Sequence, residues 1–289
     1  MPLPLVWLDG RLLPLPEAHI SPLDRGFLFG DGVYEVLPVY GSRAYRLDEH
    51  LERLNRSLLE IRMAPVLDRN GWLAAFGSLV HGNGGGDLLL YVQVTRGVEP
   101  ERNHVPKHGV RPTVFACVSP LAAMSATVIE RGTSAITAED LRWSRCDIKT
   151  TSLLGNVLHR WQAADAGATE SILLRNGWVT EGSTSSTHVV KEGGLLTPPQ
   201  TNAILPGTTR GVLFELAARA GVASERRPVA EAQLRNADEI LIASAGGGIR
   251  AVTMLDGRAV ADGKPGPVFR AIQAGFRATL EEFSTLLPA

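Results

Sequence analysis

Short runs of β-branched and aliphatic residues, each closed by a turn sequence, dominate the first part of the chain. The strands predicted from these runs lie at residues 6–12, 32–39, 88–94 and 112–118. The first run contains Asp9-Gly10 at its centre, a dipeptide typical of a tight turn, and therefore predicts a hairpin. Several extended segments are thus available for one sheet.

Two helices are predicted between these strands. Asp48 is a good N-cap residue, and apolar residues at helical spacing follow it. That stripe consists of Leu51, Leu54, Leu58 and Ile61. A second helix is predicted at residues 70–81 and ends at the glycine-rich stretch 82–86.

The second part of the chain alternates predicted strands with predicted helices. The strands lie at 140–149, 171–175, 188–192 and 239–243, and the helices at 155–166, 208–221 and 267–283. Residues 119–127 are small, contain proline and show little periodicity, which indicates a linker between domains. We expect an α+β fold with a smaller N-terminal domain at 1–118 and a larger C-terminal domain at 128–289.

Composition and charge are those of a globular protein that binds a small molecule. The chain has 289 residues, of which 44% are hydrophobic and 20% charged, enough for two ordinary domains. A formal net charge of −1 gives no electrostatic reason to expect a nucleic acid or a membrane as partner. We therefore expect a small-molecule ligand.

Cysteine usage and the N-terminal sequence bear on the compartment. Cys117 and Cys146 cannot form a disulfide framework, which favours a reduced, cytoplasmic setting. No basic segment precedes the first apolar run, and Pro2, Pro4 and Asp9 interrupt it too early for a signal peptide. No apolar stretch reaches the roughly 18 residues that a membrane span requires.

Three segments carry residue types with specific chemistry. If 140–149 is a strand, Arg145, Asp147 and Lys149 face one way, and spacing alone favours a solvated edge strand. Glu181 ends an apolar run and a turn, where an exposed glutamate is equally ordinary. Gly207-Thr208-Thr209 opens a helix, whose N–H groups and positive dipole end favour an anion.

Together these segments supply an amine, a carboxylate and an anion-binding turn, which is the set that pyridoxal 5′-phosphate requires. Their order resembles the fold-type IV pyridoxal-phosphate enzymes, which include D-amino acid transaminases, branched-chain aminotransferases and aminodeoxychorismate lyases. The resemblance covers about residues 7–267. It implies a smaller N-terminal α/β domain and a larger, mixed β-barrel-like C-terminal domain with helices. It is strongest at 145–156, which reads Arg-Cys-Asp-Ile-Lys-Thr-Thr-Ser-Leu-Leu-Gly-Asn and is similar to the lysine segment of D-amino acid transaminases.

The resemblance implies a role for each cofactor residue. Lys149 is the lysine that forms a Schiff base with the cofactor and then moves a proton between the substrate Cα and the cofactor C4′. Glu181 pairs with the pyridine nitrogen, which stays protonated beside an ionised glutamate. The residues implied to bind the phosphate are Arg53, Thr208, Thr209 and Ala245.

Two positions depart from the family pattern. Ala245 stands where hydroxyl residues are usual and keeps only its backbone N–H for the phosphate, a loss of about 0.5–1.5 kcal/mol. Gly246, Gly247 and Gly248 leave that wall without side chains, which could enlarge the pocket. Ser186 occupies a position where asparagine is common.

The resemblance also implies how the substrate is held. In D-amino acid transaminases an Arg-x-His pair, contributed by the neighbouring subunit, joins a tyrosine to bind the substrate α-carboxylate. Arg102, His104 and Tyr34 match those positions. A guanidinium presents fork-shaped donors to a carboxylate, and an imidazole and a phenol add two more. A homodimer is therefore expected. Composition alone favours an exposed polar loop at Arg102 and His104, and no metal site is indicated because Pro106 separates His104 from His108.

The favoured hypothesis is a D-amino acid transaminase that acts on D-alanine or D-glutamate with 2-oxoglutarate or pyruvate. Aminodeoxychorismate lyase, which releases pyruvate and 4-aminobenzoate, is the first alternative, because the glycine stretch 246–248 is unusual for a transaminase. A branched-chain L-amino acid aminotransferase is a weaker alternative, since residues 145–149 match the D-specific group better. A non-catalytic binding protein is disfavoured because Lys149, Glu181 and Arg53 are all present.

Overall fold

The computed structural model describes residues 1–289. The strands are β1 (Leu5–Leu8), β2 (Arg11–Pro14), β3 (Gly32–Tyr40), β4 (Arg43–Tyr45), β5 (Leu88–Thr95), β6 (Thr113–Pro120), β7 (Thr133–Glu139), β8 (Glu170–Arg175), β9 (Trp178–Gly182), β10 (Ser186–Lys191), β11 (Gly194–Thr197), β12 (Ser224–Arg226), β13 (Glu239–Ser244), β14 (Gly248–Leu255), β15 (Arg258–Ala259) and β16 (Ser284–Leu286). The helices are α1 (Arg25–Phe29), α2 (Leu47–Glu60), α3 (Arg69–Gly82), α4 (Ala126–Arg131), α5 (Leu154–Asp165), α6 (Thr208–Arg219), α7 (Glu231–Arg235) and α8 (Pro267–Glu282). The α+β class is confirmed.

The chain forms two compact units that are not simple halves of the sequence. The first unit contains Met1–Ala122 together with two later segments, Ile148–Ser152 and Glu282–Ala289. The second contains Ala123–Asp147 and Leu153–Glu281. Residues 119–127, predicted as the linker, comprise the end of β6, an irregular stretch and the start of α4.

The first unit is built on a seven-stranded sheet in the order β16-β4-β3-β5-β6-β1-β2, in which every neighbouring pair is antiparallel. The predicted hairpin is confirmed: Asp9 and Gly10 both have positive φ, at 48° and 91°, as its tight turn requires. The chain's last strand, β16, pairs with β4, so the C-terminal residues complete the sheet that the N-terminal residues begin.

Alternation along β5 shows how this sheet is anchored. Leu88, Leu90, Val92 and Val94 are buried, whereas Leu89, Tyr91 and Gln93 between them are only partly buried. The buried set shares one core with the stripe of α2 and with aromatic residues of α3, whose Trp72 and Phe76 rings lie 5.2 Å apart. Burial of these large side chains contributes most of the unit's stability, at about 25 cal/mol per Å² of apolar surface.

The start of α2 corrects one prediction. The helix runs over Leu47–Glu60 and its N-cap is Arg46, in a left-handed conformation, whereas Asp48 lies in the first turn. The predicted stripe is right for Leu51, Leu54 and Leu58, which are buried, whereas Ile61 is the C-cap residue of the helix and is only partly buried. Asp48 at this position still places a negative charge near the positive end of the helix dipole.

The second unit is built on a nine-stranded mixed sheet in the order β12-β11-β10-β13-β14-β7-β8-β9, with β15 also paired to β14. The pairs β11·β12, β14·β7 and β7·β8 are parallel and the others are antiparallel. Residues of β8, β10 and β13 are buried almost throughout. This burial explains the apolar runs of β8 and β13, whereas β10 also buries Ser186, Thr187 and His188. No helix of the protein has the length and apolar character of a membrane span.

The predicted strand at 140–149 is wrong. The strand in this region is β7, which ends at Glu139, and the following residues form turns and irregular structure. Asp140 and Arg142 make side-chain pairs in place of a strand ladder, and the thiol of Cys146 donates to the carbonyl of Trp143. Exposure nevertheless alternates as expected, because Cys146 and Ile148 are buried while their neighbours are only partly buried.

A buried histidine lies within the second unit's sheet. His188 of β10 is fully buried, with its Nε2 3.0 Å from Ser186 Oγ and its Nδ1 next to Thr197 Oγ1. Its ring meets the Phe214 ring edge-on at 6.3 Å. Burial, with a further contribution from the Arg210 charge, lowers the pKa of His188 to about 3, so the ring is neutral at physiological pH.

This neutral histidine predicts an acid-dependent loss of stability. The unfolded chain takes up a proton at this residue below about pH 6.5, whereas the folded protein does not until about pH 3. Lowering the pH from 8 to 5 therefore favours unfolding by about 2 kcal/mol through this residue alone. His188→Gln, which retains polar groups but does not titrate, should lack this component. Urea unfolding of both proteins at the two pH values measures it, and an identical pH dependence would contradict the assignment.

Candidate active site

Lys149 lies in the segment Ile148–Ser152, which belongs to the first unit. Its backbone N–H donates to Ser57 Oγ at 3.3 Å, and its C=O accepts from the Tyr34 N–H at 2.9 Å. Its Nζ lies 4.3 Å from the centre of the Tyr34 ring and forms no ion pair with a carboxylate. The backbone of Lys149 is thus fixed by hydrogen bonds, whereas its amine has no carboxylate partner.

Tyr34 is therefore a neighbour of Lys149, as the predicted site requires. Its ring stacks on the Tyr91 ring at 5.6 Å, and the Tyr91 hydroxyl donates to Gln93 Oε1 at 2.7 Å. Burial, with the nearby Tyr34 hydroxyl, raises the pKa of Tyr91 far above its usual value, so that this phenol stays neutral. The Tyr34 ring therefore contacts both the lysine amine and a second aromatic ring.

Arg53 is buried at 7% exposure, although it lies off the apolar stripe of α2. Its Nε donates to Glu35 Oε1 at 2.7 Å and its Nη2 to Glu35 Oε2 at 2.8 Å. His50 Nδ1 lies 2.8 Å from Glu35 Oε2. This bidentate pair fixes the plane of the guanidinium.

The charge states of this cluster follow from its contacts. Burial by itself would raise the pKa of Glu35, but Arg53 and His50 outweigh it and hold that pKa far below its usual value. Burial lowers the pKa of His50, and hydrogen bonding to Glu35 opposes this only in part. The cluster is therefore an ionised Glu35–Arg53 pair with a neutral histidine that donates to the carboxylate. Glu35 and His50 were not among the site residues predicted from the sequence. Glu35 could have been found as the only carboxylate within the β-branched run of β3.

Glu181 lies on β9 in the second unit and is buried at 6% exposure. Its Oε1 accepts from Arg142 Nη1 at 2.6 Å, and its Oε2 accepts from the Leu205 N–H at 3.1 Å. Arg142 in turn donates to Asp140, from Nε to Oδ1 at 2.9 Å and from Nη2 to Oδ2 at 3.0 Å. The exposed turn glutamate considered from the sequence is excluded.

Burial raises the pKa of Glu181 to about 7, and the Arg142 guanidinium opposes that shift. An additional cation beside Glu181 would stabilise its ionised form and lower this pKa. Asp140 and Arg142 were not predicted as site residues. Their pattern, an acid and a base two residues apart, does not by itself distinguish a surface pair from this buried one.

The turn that follows Glu181 is held by a second buried carboxylate. Glu170, at 1% exposure, accepts from the Ser183 N–H at 3.1 Å, Thr184 Oγ1 at 2.9 Å and Ser185 Oγ at 2.8 Å. These hydroxyl residues therefore bind the protein's own glutamate, which fixes the direction in which the chain leaves Glu181. Ser186, the departure from asparagine, contacts His188 and the carbonyl of Ala243.

Thr208 and Thr209 begin α6, as predicted, and the N-cap residue Gly207 contributes no capping side chain. Arg210 adds a buried guanidinium at the same helix end, at 6% exposure. It donates to Gln200 Oε1 and to the carbonyl of Pro198 and pairs with no carboxylate. Burial and repulsion by Arg226 lower its pKa to about 10, so it stays cationic at neutral pH. This helix end therefore concentrates positive charge, which favours an anion.

Ala245 lies in the turn between β13 and β14. The Ser244 hydroxyl accepts from the Gly247 N–H at 3.2 Å and so closes this turn. A Cβ at Gly247 would lie 2.7 Å from both Ser244 Oγ and Arg250 Nη2, so no larger residue fits there without movement. Gly247, one of the three unusual glycines, is therefore explained by the close packing of the Arg250 guanidinium and the Ser244 hydroxyl against its backbone.

Arg102 and His104 lie in an exposed loop of the first unit and both contact Phe29 of α1. The Arg102 guanidinium is 4.7 Å from the centre of the Phe29 ring, and the His104 ring centre is 5.3 Å away. Neither side chain forms a hydrogen bond or ring contact with Tyr34. The structure thus brings two of the three predicted carboxylate-binding residues together, and the third lies at Lys149.

Comparisons with known proteins agree with this chemistry. The family described as amino-transferase class IV matches residues 32–255. The D-alanine aminotransferase of Bacillus licheniformis is 38% identical over 275 residues, which covers 95% of this chain and 96% of the relative. The D-alanine aminotransferase of Staphylococcus aureus (strain MSSA476) is also 38% identical, over 280 residues, and covers 96% and 99%.

Solved structures show the same architecture. The crystal structure of the branched-chain amino acid aminotransferase of Escherichia coli superposes with a TM-score of 0.90 at 25% identity, over 96% of this chain and 94% of the other. This chain belongs to the class IV aminotransferases. It is a pyridoxal 5′-phosphate-dependent aminotransferase of fold type IV.

The chemistry of the residues present in each unit, taken by itself, is compatible with pyridoxal 5′-phosphate. The first unit supplies an unpaired amine at Lys149 and an oriented guanidinium at Arg53. The second supplies a buried carboxylate at Glu181 and a buried, cationic Arg210 at the start of α6. An aldehyde, a pyridine nitrogen and a phosphate are complementary to these groups.

Glu35 should be essential for the stability of the first unit as well as for the orientation of Arg53. Glu35→Gln leaves the buried guanidinium without its counter-charge and should lower the free energy of unfolding by about 3 kcal/mol. Glu52→Gln, on an exposed position of α2, is the matched control and should change it by less than about 0.5 kcal/mol. Urea unfolding measures both, and similar values for the two variants would show that the pair is not stabilising.

Proposed function

We propose that this protein is a D-amino acid transaminase that exchanges an amino group between a D-amino acid, of the D-alanine or D-glutamate type, and a 2-oxo acid such as 2-oxoglutarate or pyruvate. The observation that carries the chemistry is the Lys149 amine, held against the Tyr34 ring at 4.3 Å without a carboxylate partner. The D-alanine aminotransferases at 38% identity over nearly the whole chain support the choice of substrate stereochemistry.

Each cofactor residue receives a role from its surroundings. The bound cofactor supplies an electrophilic aldehyde and a ring that accepts the electron pair released at the substrate Cα. Lys149 would take the proton from the substrate Cα and deliver it to the cofactor C4′, a role for which an amine without an ion pair is suited. Glu181 keeps the ring nitrogen protonated. Arg53 and the N–H groups at Thr208, Thr209 and Ala245 hold the phosphate.

Tyr34, Arg102 and His104 are proposed to bind the substrate α-carboxylate. In this proposal Tyr34 acts in its own subunit, and Arg102 and His104 act in the neighbouring one, which makes the dimer the active unit. The guanidinium provides the charge, and the imidazole and phenol provide additional donors. A carboxylate fixed at these three groups would present only one Cα hydrogen to Lys149, and this sets the stereochemistry.

A homodimer is also supported by exposed apolar side chains. One face of α5 carries Leu154, Val157, Leu158 and Trp161, with Leu154 71% and Trp161 66% exposed. A contiguous apolar helix face of this kind is typical of an interface. The free cysteines Cys117 and Cys146 support a reducing, cytoplasmic location.

The half-reaction of the cofactor-loaded enzyme tests the proposed stereochemistry. D-Alanine should convert the cofactor absorption to that of its amine form with release of pyruvate, and L-leucine should react at least about tenfold more slowly. Lys149→Ala should show no conversion with either compound. Faster conversion by L-leucine would make the protein a branched-chain aminotransferase. Pyruvate formed from aminodeoxychorismate, with no conversion by D-alanine, would make it a lyase.

Arg102 should contribute to substrate binding far more than to cofactor binding. Arg102→Ala removes a charge-assisted contact and should raise the KM for D-alanine roughly tenfold to a hundredfold, with an unchanged cofactor spectrum. Arg111→Ala removes the same charge from an exposed position and should leave KM within about twofold. Steady-state kinetics of both variants measure these KM values. An unaltered KM for Arg102→Ala would show that Arg102 does not bind the substrate carboxylate.

A further inference from the structure

Arg25 is a buried arginine that the proposed chemistry does not use. It is the first residue of α1, and its side chain is 4% exposed. Its Nε donates to Asp31 Oδ2 at 2.8 Å and its Nη1 to Glu99 Oε2 at 2.8 Å. Two carboxylates therefore surround one guanidinium, and Arg96 adds a second positive charge by donating to Asp31 at 2.8 and 3.0 Å.

The remaining donors of Arg25 bind the loop backbone. Nη1 donates to the carbonyl of Asn103 at 2.6 Å, and Nη2 donates to the carbonyl of His104 at 3.0 Å. Four of the five N–H groups of this guanidinium are thus engaged. Two of them bind the carbonyl groups of the two residues that follow Arg102.

Glu99 and Phe29 extend the same support. The second carboxylate oxygen of Glu99 accepts from the Lys107 N–H at 2.7 Å, which joins the two ends of the loop 99–107. Phe29 lies one helical turn after Arg25, and its ring contacts Arg102 and His104 as well as the Arg25 guanidinium at 4.8 Å. The backbone of the loop 99–107 therefore contacts Arg25 of α1, and the side chains of Arg102 and His104 contact Phe29 of the same helix.

The start of α1 is itself fixed to the sheet. Asp24 caps the helix by accepting from the Gly26 N–H at 2.7 Å, and its other oxygen accepts from Thr113 Oγ1 of β6 at 2.7 Å. A Cβ at Gly26 would lie 2.2 Å from Thr95 Cγ2, so only glycine permits this approach to β5. Arg25 thus projects from a rigid base, whereas the loop it holds is exposed.

We propose that Arg25 is a positioning residue for substrate binding: it holds the loop 99–107 so that Arg102 and His104 present their side chains in one fixed geometry. This inference rests on the proposed role of Arg102 and His104 at the substrate carboxylate. Arg25 does not contact the substrate, and its effect passes through the loop backbone. The fork of a guanidinium is required because a lysine ammonium cannot reach two carboxylates and two carbonyls at once.

Arg25→Lys tests the proposal because it retains the charge and removes the fork. The KM for D-alanine should rise at least about tenfold, while kcat at saturating D-alanine and the spectrum of the bound cofactor stay within about twofold. Arg111→Lys, the same change at an exposed site, should leave KM unchanged. A KM within twofold of wild type in Arg25→Lys would overturn the proposal.

A double variant separates action through Arg102 from an independent effect. If Arg25 acts through the loop, Arg25→Lys combined with Arg102→Ala should raise KM by clearly less than the product of the two single increases, because only the contribution of His104 is left to lose. Multiplication of the two KM increases would contradict the proposal. Should Arg25→Lys fail to fold, Glu99→Gln weakens the same support and should give the same rise in KM and the same lack of additivity.

Amide hydrogen exchange gives a readout that does not depend on the reaction. In the cofactor-loaded enzyme, exchange within 99–107 should become at least about tenfold faster in Arg25→Lys, with no change in α3. Faster exchange without any effect of Arg102→Ala on KM would reject the proposed carboxylate site and leave Arg25 as a loop anchor only. Unchanged exchange, whatever the kinetics, would reject the positioning role itself.

Discussion

Buried arginine–carboxylate pairs hold the charged groups on which the rest of the proposed site depends. Arg53 is fixed by Glu35, and Glu181 is fixed by Arg142, whose own orientation is set by Asp140. Removing such charges from water costs several kcal/mol per ion, and a bidentate partner offsets that cost only when the geometry is good. The pairing therefore fixes direction more than it adds stability. Each group is presented to a ligand in one orientation before the ligand arrives.

Lys149, unlike these paired groups, has a charged end without a counter-charge. Its backbone is anchored to β3 and α2, but its amine has no carboxylate partner and lies on the face of an aromatic ring. A salt bridge would stabilise the protonated, unreactive form, whereas a weak contact with a ring restrains the amine at little cost in reactivity. The protein thus pairs the charges that must stay in place and leaves unpaired the group that must react.

Positive charge without a counter-ion marks the beginning of α6. Arg210 is buried there and donates only to neutral oxygens, while the neutral His188 ring contributes no charge. An anion at this helix end would gain from the dipole and from the guanidinium field. In the proposed phosphate site, that field would offset in part the missing hydroxyl at Ala245.

The sequence by itself determined the α+β class, most element positions and the reactive residue types, because periodicity and turn residues are local properties. The lysine segment at 145–149 and the order of Lys149, Glu181 and Thr208 also lie along the chain and could be matched directly. Only the tertiary structure decided that Arg53 is buried, since its partner Glu35 is 18 residues away on another element, and that Arg142 lies under Glu181, 39 residues later. It also decided that residues 140–147 are irregular, because an alternating pattern cannot show whether a neighbouring strand exists to complete the ladder.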